Sequence, residues 1–242
     1  MNKRTILSFI LVTITINLFS CTTGNKKLNS AELSAYELAM QKSSHGELDS
    51  ALLLLEKAFE TDKRLNPMDI IQEKAFYPLV DSPGIRPKTR DLLKAFSKKE
   101  KANMVRAEEF GSRIFVIGRV INEYSQKPIE NALVELNQAA QNGLYFEEQS
   151  LFNPRLFAFF KTTKNGEFSV ETIQPGSYSG VASHIHFNIS ADGYRSYGSE
   201  FTFESDSIFR AMGNVDQVPV AYLDTADGQE IYRVTIPLQP EN

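Results

Sequence analysis

Cysteine is nearly absent from this chain: its 242 residues include one, so no internal disulfide can form. Histidine is almost as scarce, with three, and two of them sit in one stretch, His184-Ile185-His186. A basic surplus is missing too. The 26 lysines and arginines stand against 30 acidic residues, net −4, which argues against nucleic acid as a partner. A membrane-spanning helix needs roughly 20 apolar residues, and the longest apolar run, Ile6 to Phe19, is shorter. Calcium-loop patterns are lacking, since Asp192-Gly193 and Asn165-Gly166 read as turns. Ser-His-Asp and Cys-His catalysis find no support, because Cys21 closes the apolar run and His45 falls in a helix break. What is present is an ordinary globular composition, 42% hydrophobic and 23% charged. That suits one large domain, or a domain with an appendage.

The first residues read as an export signal. Asn2-Lys3-Arg4 is a positive start, and Ile6 to Phe19 is the apolar core. The closing Leu18-Phe19-Ser20-Cys21 is similar to the lipobox of bacterial lipoproteins. That similarity implies cleavage after residue 20, lipid on Cys21, and anchorage to a bacterial membrane at its periplasmic face or the cell surface. Each buried lipid methylene contributes about 0.8 kcal/mol, so several chains on one cysteine hold firmly.

Residues 21–108 are expected to form a polar tether followed by a small helical module. Asn29 and Glu32 have the spacing of a capping box. Leu48, Ala51, Leu52, Leu55, Ala58 and Phe59 share one helical face. With the preceding run through Met40, broken at His45-Gly46, this makes a helical hairpin. Leu38, Ala39, Ala51, Leu55 and Ala58 are similar to the pattern of one tetratricopeptide repeat. A short helix is expected over residues 69–80, interrupted at Pro78. A further helix is expected from Pro87 through Lys101, with a basic, solvated face. The module offers a surface for packing on its neighbour, for homodimerisation or for a protein partner.

Residues 109–242 change to strand patterning. Residues 114–121, 132–136, 168–173, 184–190, 201–203 and 231–238 are β-branched, apolar or alternating, with turn signals between them. Asn165-Gly166 is a dipeptide of the kind that closes tight hairpins. Many short strands with such turns argue for a β-sandwich or barrel.

Within this region His184-Ile185-His186-Phe187-Asn188-Ile189 alternates strictly, so His184, His186 and Asn188 face one way. Two imidazoles two residues apart on the polar face of a strand can meet one metal ion. Tyr145 and Tyr178 each follow a glycine-containing turn. The ordered set resembles the intradiol ring-cleavage dioxygenases, the catechol and protocatechuate enzymes. Gln138-Ala139-Ala140-Gln141-Asn142-Gly143-Leu144-Tyr145 matches their first tyrosine stretch, with Asn137 in place of its leading tryptophan. Thr172-Ile173-Gln174-Pro175-Gly176-Ser177-Tyr178 matches the second, and His184 to Phe187 the histidine strand. Gly118-Arg119-Val120, Ala132 to Glu135 and Phe203-Glu204-Ser205-Asp206 look like further family segments, so the resemblance spans about 113–238.

The resemblance implies a prealbumin (transthyretin)-like antiparallel β-sandwich preceded by the α-helical module. It implies non-haem Fe(III) held by Tyr145, Tyr178, His184 and His186, with hydroxide completing the shell. A catechol-type diol then displaces the hydroxide and Tyr178, and O2 opens the ring between its two hydroxylated carbons to a muconate-type diacid. Phenolate and imidazole donors suit ferric iron. Two positions depart from the family. Val181 stands where an arginine precedes the first histidine by three residues, and Glu200 stands for a glutamine that polarises the substrate. An ionised carboxylate cannot donate a hydrogen bond. Catalytic roles therefore fall to Tyr178 and Glu200. The alternative is a lipid-anchored binding protein with weak turnover or none.

Overall fold

The computed structural model describes residues 33–145, 153–212, 218–226 and 229–241. The export signal, Cys21, and the Asn29/Glu32 capping box lie outside these residues. A capping box does open the first helix, but at Ser34 and Glu37. The Ser34 hydroxyl accepts from the Glu37 N–H at 3.2 Å, and the Glu37 carboxylate accepts from the Ser34 N–H at 2.8 Å. This helix, α1 (Ala35–Ser44), ends before Gly46 and packs on α2 (Leu48–Thr61). The buried face of α2 is Ala51, Leu52, Leu55, Ala58 and Phe59, as the spacing requires.

The next stretch is tighter than expected. Two 3-10 turns, Pro67–Ile71 and Lys74–Phe76, precede a five-residue helix, α3 (Tyr77–Asp81), whose first turn contains Pro78. Helix α4 (Arg86–Ala95) stops well short of Lys101. Phe96 turns inward onto Phe59 with ring centroids 5.6 Å apart, and residues 98–101 supply no apolar side chain to continue a buried face. The chain goes instead into a strand, β1 (Lys101–Asn103), which pairs in parallel with residues 169–171.

The remaining strands are β2 (Arg113–Asn122), β3 (Leu133–Gln138), β4 (Leu156–Lys161), β5 (Glu167–Ile173), β6 (His184–Ser190), β7 (Tyr197–Phe203), β8 (Val220–Ala226) and β9 (Gln229–Leu238). A short helix, α5 (Ser207–Met212), follows β7. The hydrogen-bonded order is β1-β5-β2-β9-β8-β7-β6-β3-β4. This run folds into two layers. Phe160 of β4 meets Phe168 of β5 at 5.3 Å although these strands are not paired, and side chains from both layers share one apolar core. Three pairings are parallel, β1–β5, β2–β9 and β7–β8, so the sheet is mixed where an antiparallel one was expected. Asn165-Gly166 makes a turn, but it closes no hairpin: it carries the chain from β4, paired with β3, to β5, paired with β2.

The core runs on into the helical segment. Strand β4 (Leu-Phe-Ala-Phe-Phe-Lys) is buried on both faces because helix α4 covers the outer one. Arg90 lies over the Phe157 ring at 5.3 Å, and Arg90 and Lys94 pair with Glu135 of β3 at 2.5 and 3.0 Å. Arg86 is fully buried. Its guanidinium donates to the carbonyls of Val80, of Asp81 at 2.7 Å and of Asn153 at 2.8 Å. The helices are thereby tied to the chain that returns from Tyr145.

Candidate metal centre

Two turns and one strand build the site. Gln138, at the end of β3, points into the core and joins the bases of both turns. Its amide donates to the Ile173 carbonyl at 2.9 Å, and its side-chain oxygen accepts from Thr172 at 2.9 Å. Beyond these anchors the turns touch backbone to backbone. Gly176 donates its N–H to the Ala140 carbonyl at 3.1 Å, and a Cβ on Gly176 would lie 2.2 Å from the Gln141 carbonyl oxygen. Gly143, at φ +79°, would place its Cβ 3.0 Å from the Ser177 carbonyl oxygen. Only glycine permits this approach. The result is that Tyr145 and Tyr178 arrive side by side, their hydroxyls 3.1 Å apart.

Strand β6 brings the imidazoles. His184 and His186 share a face, as alternation requires, with ring centroids 4.7 Å apart. His184 Nδ1 lies 2.8 Å from the Ala182 carbonyl oxygen, which can only accept, so Nδ1 carries the proton. The Nε2 lone pair then faces the tyrosines, 2.9 Å from the Tyr178 hydroxyl and 3.4 Å from that of Tyr145. His186 Nε2 is buried and has no hydrogen-bond partner among the described residues. Asp206 steadies the start of β6. Its carboxylate accepts from the N–H groups of Ser183 at 3.2 Å, Ile208 at 2.8 Å and Phe209 at 3.0 Å.

Glu200 joins this group through strand register. Asn137, His186 and Glu200 form a row across β3, β6 and β7. One Glu200 carboxylate oxygen lies 3.7 Å from His184 Nε2 and 3.6 Å from His186 Nδ1. Both distances are too long for hydrogen bonds. An open cleft of about 460 Å³ adjoins, lined by Asn137, His186, Phe187, Gly198, Ser199, Glu200 and Val218. A slightly larger cleft beside Pro128, Lys161 and Tyr194 is lined by none of these donors.

Electrostatics favour the neutral forms of Tyr145 and His186 in the metal-free protein. Burial raises the Tyr145 phenol well above its usual range, and the hydrogen bond and charge of Tyr178, then the Glu200 carboxylate, add to this. His186 is pushed down, first by burial and then by His184, against the opposing pull of Glu200. Its lone pair is therefore available at neutral pH. Ligand atoms about 2.1 Å from one ion lie roughly 3–4.2 Å apart. The distances among the tyrosine oxygens, His184 Nε2 and the Glu200 oxygen, 2.9 to 3.7 Å, fit that spacing. The orphaned His186 nitrogen and the two phenols complete a donor set suited to ferric iron.

Tyr145, Tyr178, His184, His186 and Glu200 thus converge, while Val181 lies at the rim, 40% exposed. Sequence reasoning did not find Gln138 as the brace between the turns or Asp206 as the anchor of β6. Both lie inside the quoted family segments, but only the pairing of strands shows what they touch.

A family model described as "Dioxygenase" matches residues 87–224, a stretch that begins inside α4. Among solved structures, the dioxygenase domain of a dioxygenase–carbohydrate-binding fusion from Streptomyces sp. SirexAA-E aligns at 22% identity. It covers 60% of this chain and 89% of its own, with a TM-score of 0.47. An intradiol ring-cleavage dioxygenase from Tetranychus urticae aligns at 19% identity, with the same coverage and TM-score. Catechol 1,2-dioxygenase from Acinetobacter sp. ADP1 aligns at 16%, covering 85% of this chain and 91% of its own, with a TM-score of 0.46. With the family model matching more than half of its length, the chain belongs to the dioxygenase family.

Proposed function

We propose that this protein is a non-haem Fe(III) dioxygenase that cleaves a catechol-type ring between its two hydroxylated carbons. Both atoms of O2 enter the product, a muconate-type diacid. The observation that carries the reading is the convergence of Tyr145, Tyr178, His184 and His186, with phenol oxygens 3.1 Å apart and His184 Nε2 within 3.4 Å of both. Bound there, ferric iron supplies Lewis acidity and a template for the diol. The two tyrosines divide the remaining work. Tyr145 is 4% exposed and cross-braced, so it stays as a fixed donor. Tyr178 is only half-buried and so the freer of the two, and its oxygen is the one to take a proton from an arriving diol. The Ala182 carbonyl holds His184 in the tautomer whose Nε2 can donate to the metal.

Export and lipid attachment at Cys21 belong to the same proposal and rest on the amino-terminal pattern. Mass spectrometry of the membrane-bound protein is expected to show a lipid-modified cysteine at its amino terminus. An unmodified Cys21 removes the anchor from the proposal.

The second reading, an anchored binding protein with weak or no turnover, is favoured by one observation: the exposed Val181 where the resembling enzymes carry an arginine. A single experiment separates the two. Iron-loaded protein is given catechol, hydroxyquinol and protocatechuate in air while the visible spectrum is recorded. A tyrosinate band that shifts, with a diacid appearing, establishes the dioxygenase. A band that shifts without product means a competent metal site that does not turn over these diols, because the arginine is missing or because the substrate is another diol. No band with iron in excess defeats the four-ligand site and leaves the anchored binding protein.

A further inference from the structure

We infer that Glu200 is itself a ligand of the ferric ion, making a fifth protein donor beside Tyr145, Tyr178, His184 and His186. This rests on the iron site proposed above.

Register dictates the placement. Glu200 lies directly opposite His186 on the neighbouring strand, and the two side chains emerge on the same face. Its carboxylate oxygen stands 3.7 Å from His184 Nε2, the nitrogen whose lone pair faces the two phenols. It stands 3.6 Å from His186 Nδ1. Among the described residues, His184, His186 and Glu200 place one donor atom each within 4.8 Å of one another. The 3.7 Å separation from His184 Nε2 is one expected of atoms sharing an ion and is longer than a hydrogen bond, while the 3.6 Å contact is to the ring nitrogen of His186 other than its unpartnered Nε2. Among the described residues Glu200 pairs with no lysine or arginine; its ionisable neighbours are these two imidazoles. A carboxylate that is about two-thirds buried and faces two ring nitrogens gains most from a cation among them.

Charge balance points the same way. Two phenolates leave one positive charge on a ferric ion, which an external anion must then cancel. Glu200 supplies the third negative charge from the protein and brings the site to neutrality. Glutamine at this position would leave the charge uncompensated. With iron bound, Glu200 would hold the position that a small anion could otherwise take, and it and Tyr178 would be the protein donors to yield to a diol.

The test uses the full chain in detergent, loaded with ferric iron, as the parent and as Glu200→Gln. Azide is titrated while the tyrosinate band and the electron paramagnetic resonance spectrum are followed, and iron retention is measured against a chelator. The variant is expected to take up azide at least tenfold more tightly than the parent, and to lose iron at least tenfold more readily. Should Glu200→Gln fail to fold, Glu200→Ala carries the same comparison. Equal azide affinity and equal iron retention, with both proteins showing the tyrosinate band, overturn the inference and leave the iron site standing. A parent that shows no band with iron in excess overturns the iron site and the inference together.

Discussion

The two halves of the candidate metal centre are held in different ways. The histidines stand on a regular strand, where alternation alone sets their direction and neighbouring strands fix their depth. The tyrosines stand at the ends of turns, where nothing periodic aims them. Their positions come from a backbone contact between two glycines' turns and from one buried glutamine beneath. A strand tolerates change at most positions that face away from the site. The turn pair does not, because its geometry is set by close approach at a few atoms.

The largest expected effect follows from that contrast. Gly176→Ala drives a methyl group to 2.2 Å from the Gln141 carbonyl oxygen, so the turns must part. Overpacking of this kind costs about 1–3 kcal/mol, and the displaced tyrosines are expected to abolish the tyrosinate band on iron loading. A band of parental intensity in Gly176→Ala breaks the comparison. Next comes Gln138→Leu, which leaves the Ile173 carbonyl and Thr172 hydroxyl without their partner. An unsatisfied buried group costs about 1–3 kcal/mol; a melting curve measures the loss, and iron affinity is expected to fall with it.

The histidine side is predicted to give way more gently. Asp206→Ala removes an acceptor for three N–H groups, a loss of about 1 kcal/mol by comparison with helix caps. Burial pushes the Asp206 carboxyl up, but the N–H groups of Phe209, Ser183 and Ile208 outweigh it, so the net shift is downward. A depressed carboxyl stabilises the fold above its unfolded value of about 3.9 and loses that contribution as pH falls through the folded value. Denaturant curves should therefore separate parent from variant fully at neutral pH and converge in acid. Val181→Arg touches neither half. Its stability change should stay within about 0.5 kcal/mol, while ring-cleavage turnover is expected to rise.

Iron loading sharpens the same contrast by pH. The Tyr145 phenol is held protonated by burial and by Tyr178, so a metal must displace its proton. The depressed His186 adds no proton to displace near neutrality. Ferric uptake should then weaken as pH falls, by about tenfold per pH unit for each phenol proton released. A titration at fixed iron across pH 6 to 8 checks this, and a flat response counts against tyrosine ligation.

The residues of the centre were readable because two of them obey a period and two sit in short motifs. His184 and His186 needed only alternation. Tyr145 and Tyr178 needed the glycine turns that precede them. Glu200 was visible as a residue, but its distance to both imidazoles required the β6–β7 register, which no local pattern carries. Strand β4 escaped because its run from Leu156 to Phe160 does not alternate: helix α4 covers the face that would otherwise be polar. Strand β8 escaped for the opposite reason, being largely exposed and defined by pairing with β7 and β9. The α4 helix ends before the sequence pattern suggests, because lysines 98, 99 and 101 favour a helix by propensity while β5 offers an edge for residues 101–103 to join.

The buried Arg86 has a consequence for the order in which the chain is made. The Asn153 carbonyl that receives its guanidinium lies 67 positions downstream. At about 5–20 residues per second, synthesis leaves that donor without this acceptor for roughly 3–13 s. Throughout this interval α4 lacks β4, which begins only at Leu156, and the side that later meets Phe157 stays open to any holdase or protease nearby. Helix α4 is thus made well before the strand it covers, and its protection depends on chain that comes later.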